Sequence, residues 1–370
     1  MTDREKEILY LIRENPMISQ EEIAKKIGIT RTSVAVHISN IMKKGIILGK
    51  GYIINEEPYI LVIGGTNVDI QGFSAGNLRA HDSNPGYVGI SYGGVGKNIA
   101  ENIAMLDINT KFITVFGNDL YGGKIKEHLG KIDIDVSDSL ILENEETSVY
   151  LSILDSNGEM NVAISSMEIF KKLTPEYLKQ KNKKIESSEI VIIDTNLEEE
   201  TIKYITSLKK KSKIMVDTVS TKKAEKIKSS IGNFYTIKPN KIEAELLSGI
   251  KINTNDDLDR AGKYFLEAGV KNVFITLGSE GVYYINDDKK GIIKNPKVTP
   301  VNVTGGGDAF VAGIAYAEFF GKSIDEAAKF GIGASILTIL DENTISSKIS
   351  VENIEKIIEE MKIWKILWSI

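Results

Sequence analysis

Residues 303–310 read Val303-Thr304-Gly305-Gly306-Gly307-Asp308-Ala309-Phe310. Three successive glycines permit close backbone approach and dihedrals closed to other residues. They lead directly into an apolar helical stretch, 309–320. Main-chain N–H groups at such a helix start form an anion-binding nest, and the helix dipole adds to it. A carboxylate there, Asp308, is electrostatically out of place unless it has a task, such as accepting the proton of an attacking hydroxyl. The competing reading is a Gly-rich turn with Asp308 as an ordinary acidic residue in a first helical turn. No Gly-Lys-Ser/Thr follows the glycines, so this is not the phosphate loop of nucleotide triphosphatases. Gly64-Gly65-Thr66-Asn67-Val68-Asp69 lacks the three spaced glycines of a dinucleotide fingerprint.

The elements that must position this run are legible from hydrophobic periodicity. Strand-like runs are expected at 59–63, 111–116, 190–194, 213–217, 234–237 and 272–277. Helices are expected at 95–106, 198–209, 241–248, 256–267, 307–320 and 323–340. This alternation predicts an α/β domain with a mostly parallel central sheet. Residues 147–165 depart from it, with two strand patterns around Asp155-Ser156-Asn157-Gly158, a hairpin signal. Residues 68–90 are polar, Gly-rich and strand-like, so the two segments together predict a small separate sheet over one end of the domain.

The first 55 residues follow another plan. Residues 3–14 place Ile8, Leu11 and Ile12 on one helical face. Ser19 is an N-cap with Glu22 completing a capping box, Ile18 can staple onto Ile23, and Gly28 ends the helix. A third helix opens at Thr30 and runs to about Lys44, with Val34, Ile38 and Ile41 facing inward. Ile46–Leu48 and Tyr52–Ile54, joined by Gly49-Lys50-Gly51, predict a β-hairpin wing. The pattern resembles the winged helix-turn-helix of bacterial regulators. That resemblance implies DNA contact through Arg31, Thr32, Ser33 and His37 near the start of the third helix. A three-helix packing or dimerisation module is the alternative. Glu56-Glu57-Pro58 marks the seam, giving domains 1–56 and 57–370.

Composition narrows the class. Of 370 residues, 42% are hydrophobic, enough for a sizeable core. There is no cysteine, which excludes disulfides, thiolate metal sites and cysteine nucleophiles and fits a cytoplasmic location. The three histidines, His37, His81 and His128, are far apart in sequence, which argues against a histidine metal cluster. Residues 1–55 hold nine Lys/Arg against six Asp/Glu, while the whole chain has net charge −5, so the front part differs in sign from the rest. The charged N-terminus is unlike a secretory leader. The longest apolar stretch, Ala309 to Phe320, contains Glu318 and is too short to span a bilayer, so no membrane partner is expected.

From residue 59 to about 350 the sequence resembles the ribokinase-like (PfkB) carbohydrate and nucleoside kinases. Gly93-Gly94-Val95-Gly96-Lys97-Asn98 is similar to the family's first signature, and Thr304 to Asp308 to its second. The resemblance implies a three-layer ribokinase-like fold, ATP and Mg²⁺ as cofactors, and Asp308 as the base beside a phosphate-holding nest of Gly305, Gly306 and Gly307. It implies Asp69, Gly93, Gly94 and Asn98 as the substrate grip. Asn240 and Glu243 match the family's Asn-x-x-Glu, with Glu243 reaching the metal through water. Thr276, Gly278 and Gly281 match the strand-turn-strand beside ATP, and Ser335 lies where a helix packs near adenine. Residues 69–90 and 147–165 correspond to a small β-sheet lid. The family commonly has Asp-Thr where this chain has Asn302 and Val303, which argues against strong K⁺ dependence while leaving a monovalent cation open. Within the family, Asp82-Ser83-Asn84-Pro85-Gly86, Ser91 to Asn98 and Leu151 to Ile169 look like the pseudouridine kinases. That implies ATP-dependent formation of pseudouridine 5′-phosphate, with Ser83 and Asn84 on the lid near the substrate. Alternatives are a ribokinase, another sugar or nucleoside kinase, or a transcription regulator whose kinase-like body senses a ligand. A homodimer is compatible with all of them.

Overall fold

A computed structural model of the chain describes residues 1–49, 57–208 and 212–367. The chain divides into two compact units, Met1–Pro58 and Tyr59–Ile370.

The front unit holds three helices, Asp3–Glu14, Gln20–Ile27 and Arg31–Lys43. Capping chemistry sets their ends. Ser19 and Glu22 form the expected reciprocal box, and Gly28, at φ 69°, closes the second helix in the left-handed region. Thr2 and Glu5 make a second box at the first helix. Ile18 and Ile23 share one core with Ile8, Ile12, Val34, Ile38 and Ile41. Leu11 lies at the margin of that core and Leu9 inside it, one position from the expected face. The second arm of the expected wing, Tyr52–Ile54, lies outside the described residues.

The larger unit contains β1 (Ile60–Ile63), β2 (Asn67–Ser74), β3 (Gly86–Gly93), β4 (Thr110–Ile113), β5 (Val115–Gly117), β6 (Leu140–Leu142), β7 (Val149–Leu154), β8 (Met160–Ser166), β9 (Ile190–Asp194), β10 (Lys213–Asp217), β11 (Thr236–Lys238), β12 (Asn272–Thr276), β13 (Val282–Ile285) and β14 (Lys290–Ile293). Eight of them form one sheet in the order β14-β13-β12-β11-β10-β9-β1-β4. The pairs from β4 to β12 are parallel, and β13 and β14 turn antiparallel at one edge. Parallel strands covered on both faces need continuous apolar runs, and Ile190–Asp194 is buried at every position.

The sheet's pleat feeds two cores. Ile60 and Val62 pack with helices Val95–Ala104, Gly306–Phe319 and Ile324–Ile339. Leu61 and Ile63 pack on the other face with helices Glu199–Ser207, Lys241–Ser248 and Asn255–Ala268. This is a three-layer α/β architecture. Among the described residues no helix is long and apolar enough to cross a membrane.

β3-β2-β7-β8 make a separate four-stranded sheet. Its strands are the two polar segments that interrupt the alternation, and β7 and β8 pair antiparallel across the Asp155–Gly158 turn. The expected strand at 111–116 divides in two. Thr114 N–H donates to the Ser139 hydroxyl, not to a strand, and β5 then leaves the main sheet to pair with β6. The sequence reading also omitted helix Leu120–Lys131, whose first turn Asp119 caps at Gly122 N–H.

Candidate active site

The glycine run starts helix Gly306–Phe319 at the C-terminal edge of the parallel sheet, where ligands of open α/β sheets bind. Gly305 is its N-cap at φ 82°, and a Cβ there would lie 2.1 Å from the Thr344 carbonyl oxygen. A Cβ on Gly306 would crowd Ile339 at 2.8 Å and stand 3.2 Å from the Ser335 hydroxyl. Gly307 is exposed, and its nearest neighbour is the Lys238 ammonium, 3.5 Å from where a Cβ would be. The backbone is therefore bare on one side and faces a cation.

Asp308 accepts a hydrogen bond of 2.8 Å from Asn98 Nδ2. Asp308 is half-buried. Burial pushes its pKa up to about 7, with Asp217 and Asp194 raising it further and Asn98 and Lys238 opposing. A carboxylate with a pKa near neutrality is suited to take up a proton at physiological pH.

Asn98 comes from helix Val95–Ala104, entered through Gly93 and Gly94. Each glycine has its own reason. A Cβ on Gly93 would fall 2.0 Å from Asp69 Oδ2, so this glycine makes room for the carboxylate. Gly94 has φ +102°, and its Cβ would strike Thr66 Cα at 2.5 Å. Asp69, in β2, accepts from Asn67 Nδ2 at 2.6 Å. Burial raises its pKa, against the opposing influence of Asn67 and Lys97. Asp69 thus lies against Gly93, and Asn98, on the helix entered through Gly93 and Gly94, reaches Asp308.

Beside it, the ends of β9, β10 and β11 carry buried charges to which the sequence reading assigned no role. Lys238 and Asp217 pair at 2.9 Å, with side chains 9% and 5% exposed. Burial works against the Lys238 charge, but Asp217, Glu243 and Asp308 hold its pKa above the usual lysine value. Asp217 Oδ1 also accepts from Val219 N–H at 2.7 Å, where Val219 takes φ 57°, a rare conformation for a β-branched residue. Asp194 Oδ2 accepts from Gly65 N–H at 2.7 Å, and Asn196 Oδ1 accepts from Lys223 at 2.5 Å. The available signal was a charged residue ending a buried strand, repeated in Asp194, Asp217 and Lys238.

Asn240 and Glu243 form a capping box. Glu243, 3% exposed, accepts through Oε2 from Asn240 N–H at 2.8 Å and from the Thr218 hydroxyl at 2.6 Å. Among the described residues no group of three or more acidic or histidine side chains is placed to hold a metal.

Thr276 ends β12, and its N–H donates to the Pro239 carbonyl at 3.0 Å, tying it to the Asn240 segment. Gly278 and Gly281 bound a 3₁₀ turn, and Gly281, at φ 114°, packs against the Ile293 carbonyl. Ser335 faces Gly306. Asn302 Nδ2 donates to the Glu342 carbonyl at 3.0 Å, and Thr304 N–H to Asn302 Oδ1 at 2.9 Å, so Asn302 buttresses the approach to the glycines.

Ser83 is exposed in the loop between β2 and β3. The Asn84 amide is turned onto that same loop, accepting from Arg79 N–H at 2.7 Å and donating to the Arg79 and Asp82 carbonyls. In the front unit, Arg31 and Thr32 are exposed. The Ser33 hydroxyl bonds the Thr30 cap at 2.9 Å, and His37 Nδ1 is buried with no hydrogen-bond partner among the described residues.

Residues 57–350 match the pfkB family carbohydrate kinases, and residues 1–47 match a winged helix-turn-helix DNA-binding family. The chain belongs to the pfkB family of carbohydrate kinases. It is 34% identical to an uncharacterized sugar kinase of Escherichia coli (strain K12), YeiI, over 95% of this chain and 98% of that one. It is also 34% identical to the pseudouridine kinase of the same organism, over 82% of this chain and 97% of that one. The crystal structure of a provisionally assigned sugar kinase from Clostridium perfringens superposes with a TM-score of 0.77 at 40% identity, covering 83% of this chain and 97% of that one.

Proposed function

We propose that the larger unit phosphorylates pseudouridine at its 5′-hydroxyl with ATP. The observation that carries the reaction type is the Asn98–Asp308 hydrogen bond at the mouth of the glycine nest. It sets a raised-pKa carboxylate next to main-chain donors and the Lys238 ammonium. Phosphoryl transfer needs positioning and charge neutralisation more than covalent chemistry. Asp308 takes the proton of the acceptor hydroxyl as its oxygen attacks the γ-phosphorus. The N–H groups of the 305–307 run and Lys238 face the charge that develops on the transferred group. Asp69 and Asn98 bind ribose hydroxyls, and Thr276, Gly278, Gly281 and Ser335 border the nucleotide. The similarity to the Escherichia coli pseudouridine kinase, across nearly all of that enzyme, supports the choice of nucleoside.

The residues present fit Mg²⁺ held at second hand. Glu243 Oε2 already accepts two hydrogen bonds, so a metal would meet this carboxylate through water, as suits a cation reluctant to dehydrate. Bound with the nucleotide, Mg²⁺ neutralises phosphate charge.

A screen of nucleosides and sugars for ATP-dependent phosphorylation by the full chain tests the substrate. Pseudouridine should lead by kcat/KM, and a clear lead for ribose or another nucleoside overturns that part. The front unit reads as a DNA-binding module, supported by its family match and by exposed Arg31 and Thr32 in the third helix. Binding to DNA from its own upstream region should weaken steeply with salt, because phosphate contacts release counterions.

A further inference from the structure

Lys97 is the third residue of helix Val95–Ala104, yet its side chain is 4% exposed. A lysine in a first helical turn normally reaches water. This one is drawn inward by two acceptors, the Tyr92 carbonyl at 2.7 Å and Asn98 Oδ1 at 3.4 Å, and by an ion pair with Glu101 Oε2 at 2.5 Å. Glu101, 9% exposed, is held on its other oxygen by His128 Nε2 at 2.6 Å. The result is a continuous line, His128–Glu101–Lys97–Asn98–Asp308, ending on the carboxylate assigned as the base.

We propose that Lys97 is a positioning residue for phosphoryl transfer: its ammonium fixes which way the Asn98 amide faces, so that Nδ2 and not Oδ1 is presented to Asp308. The argument is one of donor inventory. An amide has a donor end and an acceptor end of nearly equal shape, and packing alone does not choose between them. An ammonium has donors only. Lys97 can therefore face only Oδ1, which leaves Nδ2 for Asp308 Oδ2. With the amide reversed, a carbonyl oxygen would meet a carboxylate oxygen and disfavour the ionised form that accepts the proton. Glu101 and His128 keep Lys97 in place, and the Tyr92 carbonyl ties the same ammonium to the end of lid strand β3. The other charged groups facing Asp308 are Asp217 and Asp194, at the ends of β10 and β9, and Lys238, at the end of β11. None of them touches the Asn98 amide.

This inference rests on the proposed role of Asp308, so the experiment separates the two. In the full chain, with the acceptor that the wild type phosphorylates best, kcat and kcat/KM are measured against pH for the wild type, Asp308→Asn, Lys97→Met and Lys97→Arg. Lys97→Met should lower kcat at pH 8 by about ten- to a hundredfold, the scale of a small misplacement of a reacting group. It should also move the acidic limb of kcat/KM to higher pH, because Asp308 loses a donor that favours its charge. Lys97→Arg, which also donates only, should restore most of kcat and the original limb. If removing Lys97 leaves Glu101 unpaired and the protein does not fold, Lys97→Met/Glu101→Leu removes both charges together and should show the same shifted limb. Lowered thermal stability with unchanged kcat and pH profile in either variant overturns the proposal and leaves Lys97 a structural residue. Full turnover in Asp308→Asn overturns the assignment of the base instead, whatever the Lys97 variants do.

Discussion

The central sheet and the lid sheet treat polar side chains in opposite ways. At the ends of β9, β10 and β11, Asp194, Asp217 and Lys238 are buried, and each is held by named partners. In the lid, β3 and β8 are exposed along most of their length, and Asn84 bonds only its own loop. Buried polar groups must be satisfied, so the partners of the first set are fixed before any ligand arrives. Exposed groups carry no such requirement and can exchange partners. The proposed function assigns reaction chemistry to the buried strand ends and acceptor recognition to the lightly held lid.

The sharpest way to break this comparison is Asp308→Asn. It should cut turnover by about three orders of magnitude or more while leaving nucleoside binding largely intact. The same variant should be more stable than the wild type above pH 7. The folded pKa of about 7 lies above the ordinary carboxylate value, so ionising Asp308 costs stability as pH rises through that window, and asparagine removes the cost. Thermal melts at pH 6 and pH 8 measure it. Equal stability at both would mean the strand-end site is less tightly enclosed than described. In the wild type, kcat/KM should rise with pH and level off above about 7 as the base ionises.

Gly93→Ala comes next. Its Cβ would fall 2.0 Å from Asp69 Oδ2, so the carboxylate must move. KM for the acceptor should rise by about ten- to a hundredfold, read by steady-state kinetics at saturating ATP. The lid substitutions should be mildest. Ser83→Ala and Asn84→Ala are expected to change KM by about fivefold or less, since an exposed hydrogen bond contributes on the order of 1 kcal/mol. A large loss of kcat from either would place chemistry on the lid and undo the division. Outside the larger unit, Arg31→Ala should weaken DNA binding and reduce its salt dependence while leaving kinase rates unchanged.

Much of this arrangement is legible in the residues. Ser19, Glu22 and Gly28 announce both ends of a helix because capping is local chemistry. The run at 190–194 reads as a buried strand because every residue but the last is Ile or Val. The glycines at 305–307 and Asp308 are recognisable as a candidate anion site because the run leads straight into an apolar helix, although an ordinary Gly-rich turn would read the same way. Other features are not local. The division of 111–116 into two strands depends on Ser139, 25 positions from Thr114. The roles of Lys97 and Lys238 are hidden because a lysine in a motif reads as solvated until its surroundings are known.

The order of residues alone determines the alternation of strands and helices, the capped helix ends and the glycine nest with its carboxylate, since each follows from side-chain size, polarity and backbone freedom within a few positions. Tertiary structure alone decides which distant charges meet. The Asn98–Asp308 bond spans 210 residues, and the Asp308 pKa is raised first by burial and then by Asp217 and Asp194, with Asn98 and Lys238 opposing, all brought together by the fold. Electrostatic interaction depends on distance in space and on the surrounding dielectric, and neither quantity is written in sequence separation.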